Sequence, residues 1–325
     1  MSAVAAKVQE LARTNEALQK LDKLAGLRVV DGRIDLTPWS EPPEESQYIH
    51  PLAYWEDAVI RKFRQTEPEG SKLPWAKLAQ NARIRPAEVT IWAGGNGTGK
   101  SLLTGAVLMS LARQGERVLL ASLEMSPLAT IYRLARQGLG RNPTDDEVRV
   151  YFSAVTDLFL VFDQQQTVRW QTMLALGRYA AAELGVRHLC IDSHTKCGFR
   201  KDDYDSQIMF VDKLTALAKE TGLHIHLVMH MRKAENEYYR SDKMDVRGPG
   251  ELTDLADNVW TLWRNKRKEA ELEKTHPDDK YRDEPDAVLA CTKQRHGEWE
   301  GNLRLWYDRE RMLYCDSQGG AEGGY

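Results

Sequence analysis

From Glu88 onward, short apolar runs alternate with stretches of helical spacing. The runs EVTIWAG, VLLASLE, LFLVFD, HLCID, HIHLVM, NVWTLW and AVLACT are largely apolar at successive positions, as strands buried on both faces are. Between the first six lie helix-like segments such as Lys100–Arg113, Ala129–Leu139, Gln171–Leu184 and Asp205–Thr221. That alternation predicts an α/β domain whose mainly parallel central sheet is flanked by helices. LRLWYD and MLYCD read as closing strands, and SQGGAEGGY reads as a flexible Gly-rich tail.

Upstream, Val4, Val8, Leu11, Leu18 and Leu21 recur at three-, four- and seven-residue spacing. They predict a helix over 1–30, stopped by Asp31-Gly32. That helix either packs on its own domain or docks as an arm on a neighbouring subunit. Leu36 to Lys72 is rich in Pro, Glu and aromatic residues, which predicts an extended connector with one helix near Trp55–Arg64. The charge-dense stretch NKRKEAELEKTHPDDKYRDEPD reads as a solvated helix or loop without assigned function. The expected division is an N-terminal helical arm and linker over 1–71, making a subunit contact, an α/β domain over 72–315 and a tail over 316–325.

Composition narrows the class. The chain has 325 residues, 42% hydrophobic and 29% charged, an ordinary globular balance. No apolar run approaches the roughly 18 residues that span a bilayer, so no membrane partner is expected. The first residues mix charges among their apolar positions, unlike a secretory signal. Cys190, Cys197, Cys291 and Cys315 show no Cys-x-x-Cys spacing, which points to a reduced, cytoplasmic protein. With 45 basic against 48 acidic residues the net charge is −3. Any nucleic-acid site is therefore a local basic strip and not a global field.

The strongest chemical signal is Gly94-Gly95-Asn96-Gly97-Thr98-Gly99-Lys100-Ser101, a G-x-x-x-x-G-K-[ST] loop between a strand and a helix. Its backbone N–H groups and the helix N-terminus suit phosphate. Lys100 is placed to reach the β- and γ-phosphates, and Ser101 to ligate Mg²⁺. Asp192 ends HLCID and is the candidate for the magnesium shell, its alternative being a strand-end turn cap. Glu124 follows VLLASL and should emerge at the sheet edge where ligands bind. It reads as the base or water-positioning group, or else as a carboxylate favoured by the next helix's N-terminus. His230 ends HIHLVM at the same edge and reads as a γ-phosphate sensor or a structural histidine. His224, His226 and His230 invite a zinc reading, but no Cys or carboxylate cluster completes a tetrahedral set.

GGNGTGKS, SLEMS, HLCIDSH, HLVMHMRK, DVRGPGELTDLADNVWTLWRN and TKQRHG, in that order over about residues 72–315, resemble the ATPase domain of RecA-like hexameric replicative helicases. That family includes bacterial replicative helicases, bacteriophage primase–helicases and the mitochondrial replicative helicase. The resemblance implies a RecA-like P-loop NTPase fold with Glu124 as catalytic glutamate, Asp192 in the magnesium shell and His230 as phosphate sensor. It also places Arg295 as an arginine finger reaching the adjacent subunit, assisted by Lys293, and Arg264 with Tyr307 around the nucleotide base. An edge-strand salt bridge is the other reading of Arg295.

Two loops leaving the ATP edge carry basic and aromatic residues. They are Lys196-Cys197-Gly198-Phe199-Arg200-Lys201 and the segment from Arg232 to Arg247, with Tyr238, Tyr239, Arg240 and Lys243. Basic groups tracking phosphates, with optional stacking, suit a single strand held without sequence readout; plain solvated loops are the alternative. In the resembled family such loops line a central channel, and Arg232 and Arg247 match positions implicated in DNA contact. Neither a primase nor a Cys-rich zinc module is expected ahead of residue 72, so the activities of such domains are not carried over. Ala87 stands where a Gly often precedes the P-loop strand, a change expected to be harmless.

The resemblance thus implies an ATP- and Mg²⁺-dependent, ring-forming replicative DNA helicase. It would be a homo-hexamer or other ring moving 5′ to 3′ on single-stranded DNA, stand-alone in a phage or plasmid system. A separate primase, polymerase or loader would be its partners, in the host cytoplasm if phage-encoded. The alternatives are a filament-forming recombination or repair ATPase, and a P-loop scaffold ATPase that unwinds nothing.

Overall fold

The computed structural model describes residues 36–40, 51–65, 69–139, 143–200, 203–232, 245–248, 250–276 and 278–319. The helix expected over 1–30, the last residues of the tail, and Lys201, Tyr238, Tyr239, Arg240 and Lys243 lie outside the described residues.

A 3₁₀ turn, Leu52–Trp55, leads into α1 (Glu56–Arg64), and β1 (Ser71–Lys72) pairs with β2 (Arg83–Ile84). The main domain begins with β3 (Val89–Gly94), α2 (Lys100–Arg113), β4 (Val118–Ser122), α3 (Pro127–Leu139), α4 (Asp145–Val155) and β5 (Phe159–Phe162). It continues through α5 (Trp170–Ala182), β6 (His188–Asp192), α6 (Tyr204–Thr221), β7 (His224–His230), α7 (Glu251–Leu255) and β8 (Asn258–Arg264). Short α8 (Lys266–Leu272) precedes β9 (Ala287–Gln294), β10 (Gly301–Asp308) and β11 (Leu313–Cys315). All seven expected apolar runs are strands.

Among the described residues, nine strands make one sheet in the order β11-β10-β9-β8-β3-β7-β6-β4-β5. β8, β3, β7, β6, β4 and β5 run parallel, and β9 to β11 close the sheet antiparallel. Both faces are covered. On β3, Val89, Ile91 and Ala93 join one core cluster with residues of α5 and α6, while Trp92 joins the other with residues of α2. Strand side chains alternate between faces, and two apolar faces produce the continuous apolar runs of the sequence.

Several details depart from expectation. α4 is an addition to the helices that the apolar spacing predicts. It opens on a capping box in which Thr144 Oγ1 accepts from Glu147 N–H and the Glu147 carboxylate accepts from Thr144 N–H, satisfying end groups that the helix cannot pair internally. The charge-dense stretch is only partly solvated: Lys268 is buried, bonds the Glu284 carbonyl and pairs with Asp286 at 2.9 Å. Ala87 is not a harmless replacement, because its φ of 62° lies in the left-handed region where a Cβ costs roughly 1–2 kcal/mol. Phe199 is not offered for base stacking; it stacks on His194 with centroids 4.8 Å apart and packs against Phe210.

The four cysteines are free and buried. Among the described residues no helix is long and apolar enough to cross a membrane. α1 buries none of its residues and leaves Phe63 87% exposed.

Candidate nucleotide site

Parallel strands bring their C-terminal ends to one edge, and the register places the chemistry there. Gly94 at the end of β3 lies opposite His230 at the end of β7. Ser122 at the end of β4 lies opposite Asp192 at the end of β6, and Glu124 follows two residues later. Loops leaving these ends surround a cleft of about 580 Å³, lined by the phosphate loop, Glu124, Asp192 and His230.

The loop is braced from below. Tyr314 on β11 donates its hydroxyl to the Thr98 carbonyl at 2.8 Å. Gly99 sits above that ring with φ 91°, and a Cβ there would meet the Tyr314 oxygen at 2.8 Å. Only glycine satisfies both the backbone angle and the close approach. α2 starts at once, with Leu103 N–H donating to the Gly99 carbonyl, so its positive N-terminal end faces the cleft.

Lys100 is buried and donates to the carbonyls of Gly94 and Gly95 at 3.0 and 2.8 Å. Burial lowers its pKa, and the carboxylates of Asp192 and Glu124 oppose that shift. Asp192 is also buried. Burial raises its pKa, with Glu124 adding repulsion, against a hydrogen bond from Ser101 and the attraction of Lys100 and His230. A carboxylate costly to ionise and a serine hydroxyl form a hard-oxygen pair beside a phosphate cradle, which fits Mg²⁺ bound jointly with substrate phosphates. Among the described residues no cluster of three His, Cys, Asp or Glu could hold a metal by itself. Of the three histidines considered for zinc, His230 stands at this edge. His224 and His226 instead lie buried at the far end of β7: His224 meets the Arg85 carbonyl and Thr90, and His226 accepts from Trp92.

Glu124 accepts three hydrogen bonds on one oxygen. His230 Nε2 donates to Oε1 at 3.1 Å, Thr195 Oγ1 at 3.0 Å, and Ser193 Oγ donates to the same atom. These bonds, His230 first, pull the carboxyl down to about 2 against the opposing effect of burial. The other ring nitrogen, His230 Nδ1, is buried without a hydrogen-bond partner.

The structure brings further expected residues to this edge. Arg264 donates to the Gly97 carbonyl at 2.8 Å and pairs with Glu269 of α8 at 2.5 Å, so the charged stretch after β8 fixes this arginine. Tyr307 packs at 5.2 Å from Tyr314, close to the loop. Lys196 and Arg200 lie on the segment after Asp192, Lys196 half-buried and Arg200 exposed. Arg232 and Arg247 frame a short antiparallel stem: Arg232 N–H donates to Asp245 and Arg247 N–H to the His230 carbonyl. Arg247 lines the nucleotide cleft itself, whereas the sequence groups it with the nucleic-acid loop.

Arg295 and Lys293 are elsewhere. Asn258 pairs with Gln294 across β8 and β9 and with Thr90 across β8 and β3, which puts both cations near the start of β3. Five residues of strand, about 17 Å, separate that start from the phosphate loop. Arg295 pairs with Asp257 at 3.3 Å, and Lys293 Nζ donates to the Thr253 and Asp254 carbonyls. Within one protomer the salt-bridge reading of Arg295 holds.

Three residues that line the cleft or hold Glu124 escape a reading of the sequence. Arg133 of α3 lines it, with a guanidinium nitrogen 2.8 Å from Met125 Sδ; its position nine residues past Glu124, on the next helix, is the available signal. Ser193 and Thr195 follow Asp192 closely, and their hydroxyls are the signal.

Comparison with known proteins agrees with this architecture. Residues 70–236 match the model of the AAA domain family. A DNA helicase/primase of Enterobacteria phage T3 is 27% identical over 207 residues, covering 56% of this chain and 36% of that protein. The chain thus spans about a third of that relative's length. Among solved structures, an isolated ATPase domain superposes with a TM-score of 0.65 at 17% identity, covering 83% of this chain and all of that one. A DnaB-like replicative helicase studied with primase gives 0.66 at 16% identity, covering 95% of this chain and 77% of that one. At such identities the likeness establishes the fold, the RecA-like arrangement expected from the motifs.

Proposed function

This chain belongs to the AAA domain family, and from that premise we propose that it is the ATP-driven motor subunit of a ring-forming replicative DNA helicase. One observation carries the reading. Lys100, Asp192, Glu124 and His230 converge on one cleft, while Lys293 and Arg295, on and just after β9, lie at the opposite edge of the same sheet. A subunit built this way offers a nucleotide site at one edge and cations at the other, so neighbours in a ring complete each other's sites. The T3 relative and the DnaB-like neighbour are described as helicases, which supports the same activity here.

In this reading the loop from Gly95 to Ser101 holds the ATP phosphates, and Arg264 and Tyr307 hold the base. Ser101 and Asp192 would hold Mg²⁺, which when bound draws charge from the phosphate oxygens. Glu124 orients the attacking water and takes its proton. His230, bonded to Glu124 and lining the same cleft, senses the γ-phosphate. Arg295 of one subunit, with Lys293, stabilises the charge of the transferring phosphoryl group in the next. Lys196, Arg200 and Arg232 grip a single DNA strand through its phosphates, together with Lys201, Arg240 and Lys243. Arg247, at the root of the stem, faces the cleft. Exposed apolar side chains on α1, Phe63 foremost, support an arm over 1–71 that packs on a neighbour. A primase, polymerase or loader and a cytoplasmic setting go with this reading.

A forked-duplex unwinding assay beside ATPase measurements with and without single-stranded DNA tests it. Unwinding that needs a free strand is the expected result. Strand pairing without unwinding would assign the chain to a recombination or repair filament, and ATPase turnover indifferent to DNA would assign it to a scaffold.

A further inference from the structure

Glu124 is held from the side of the strand-gripping loop. Ser193 and Thr195, which donate to its Oε1, form the first turn of the segment that carries Lys196 and Arg200. Their hydroxyls are also 2.7 Å apart, so Glu124 Oε1, Ser193 Oγ and Thr195 Oγ1 form a triangle. Each hydroxyl has one proton, and two protons cannot serve three edges at once. Rotating one hydroxyl therefore moves a bond from the carboxylate to its neighbour without breaking the turn.

The turn is tied into the loop by short links. Lys196 N–H donates to the Ser193 carbonyl and Cys197 N–H to that of His194, both at 3.0 Å. His194 stacks on Phe199, which packs on Phe210 of α6. Lys196 in turn accepts from Val168 N–H through its carbonyl. The span from Ser193 to Phe199 is thus one braced unit that carries Lys196 and adjoins Arg200.

We propose that Ser193 and Thr195 are positioning residues that hold the Glu124 carboxylate and make its placement answer to nucleic acid on the adjoining loop. The proposal rests on the reading above, in which Glu124 is the base and this loop meets a DNA strand. Strand binding shifts the turn, redistributes the two hydroxyl protons and turns the carboxylate toward the γ-phosphate. His230, which reaches the same oxygen from β7, remains in place and keeps Glu124 at the cleft.

The test is steady-state ATP hydrolysis by the full chain, with and without a poly(dT) oligonucleotide. The proteins are wild type, Ser193→Ala/Thr195→Val and Thr195→Ser. The double variant should lose about fivefold or more of the stimulation by DNA, the low end of a typical coupling between sites. Its KM for ATP should stay near the wild-type value, and Thr195→Ser should keep the wild-type response. Retained stimulation in the double variant, or a Thr195→Ser protein as impaired as the double one, overturns the proposal. If the double variant does not fold, Ser193→Ala and Thr195→Val singly carry the same readout. Wild-type turnover that ignores DNA would instead overturn the motor reading, a result visible before any variant is made.

Discussion

His230 Nε2 donates to Glu124 Oε1 at 3.1 Å, joining the tip of β7 to the chain just beyond β4. Asp192, at the end of β6 between those strands, completes an arc of polar groups above the phosphate loop. Three consecutive neighbours in the sheet thus each place one polar side chain at the same edge, as the topology of a parallel sheet favours.

The first expected outcome concerns Glu124. Glu124→Gln keeps the shape and removes the proton acceptor. ATP binding, followed with a fluorescent analogue, should survive, and hydrolysis should fall by about 10²–10⁴. Turnover near wild type would remove Glu124 from its role.

Arg295→Ala should act across the seam. Arg295 is half-exposed but its partner Asp257 is buried, so the substitution also costs some stability by leaving that carboxylate without its cation. Beyond that, a catalytic loss on the order of 10³ is expected where a finger completes a phosphoryl-transfer site. Mixed assemblies of wild-type and variant chains should lose ATPase activity faster than the variant fraction rises. Loss in simple proportion would show that Arg295 serves no neighbour.

Acid should destabilise the fold through the three histidines at the far end of the sheet. Burial holds His188 down at about 3 and His224 at about 4, and His226 well below the usual value of 6.5. They are neutral in the folded chain and protonate in the unfolded one. Their contribution is complete above pH 6.5 and is lost as pH falls toward 4. Each imidazole costs up to about 1.4 kcal/mol per pH unit in that window. Urea unfolding midpoints at pH 7, 6 and 5 should drop progressively, and more shallowly in His188→Gln. A flat profile would mean that these rings are not held neutral.

Ala87→Gly should stabilise. Relief of the left-handed Cβ outweighs the added freedom of the unfolded chain, a net gain of about 1 kcal/mol that raises Tm by about 2 °C in a chain of this size. A lower Tm by calorimetry would show that Ala87 carries no strain.

Much of this is legible in the sequence because it is local. The apolar runs are strands since both their faces are covered, and the phosphate loop is read from contiguous residues. Other features depend on partners far along the chain. Tyr314 braces Gly99 from more than two hundred residues away, and Phe199 reads as a stacking residue until His194 and Phe210 enclose it. Arg247 joins the cleft only because its backbone pairs with His230. α4 has a local signature too: Thr144 and Glu147 carry the spacing of a capping box, though a helix that buries none of its residues completely gives a weaker apolar rhythm.

The proposed motor requires ATP to be held between like subunits while charged loops carry a strand. Mass photometry of the full chain, with a nonhydrolysable ATP analogue and a single-stranded oligonucleotide in excess, tests this directly. Closed rings of several copies with bound DNA are expected, and a population that stays monomeric with both ligands present would contradict it.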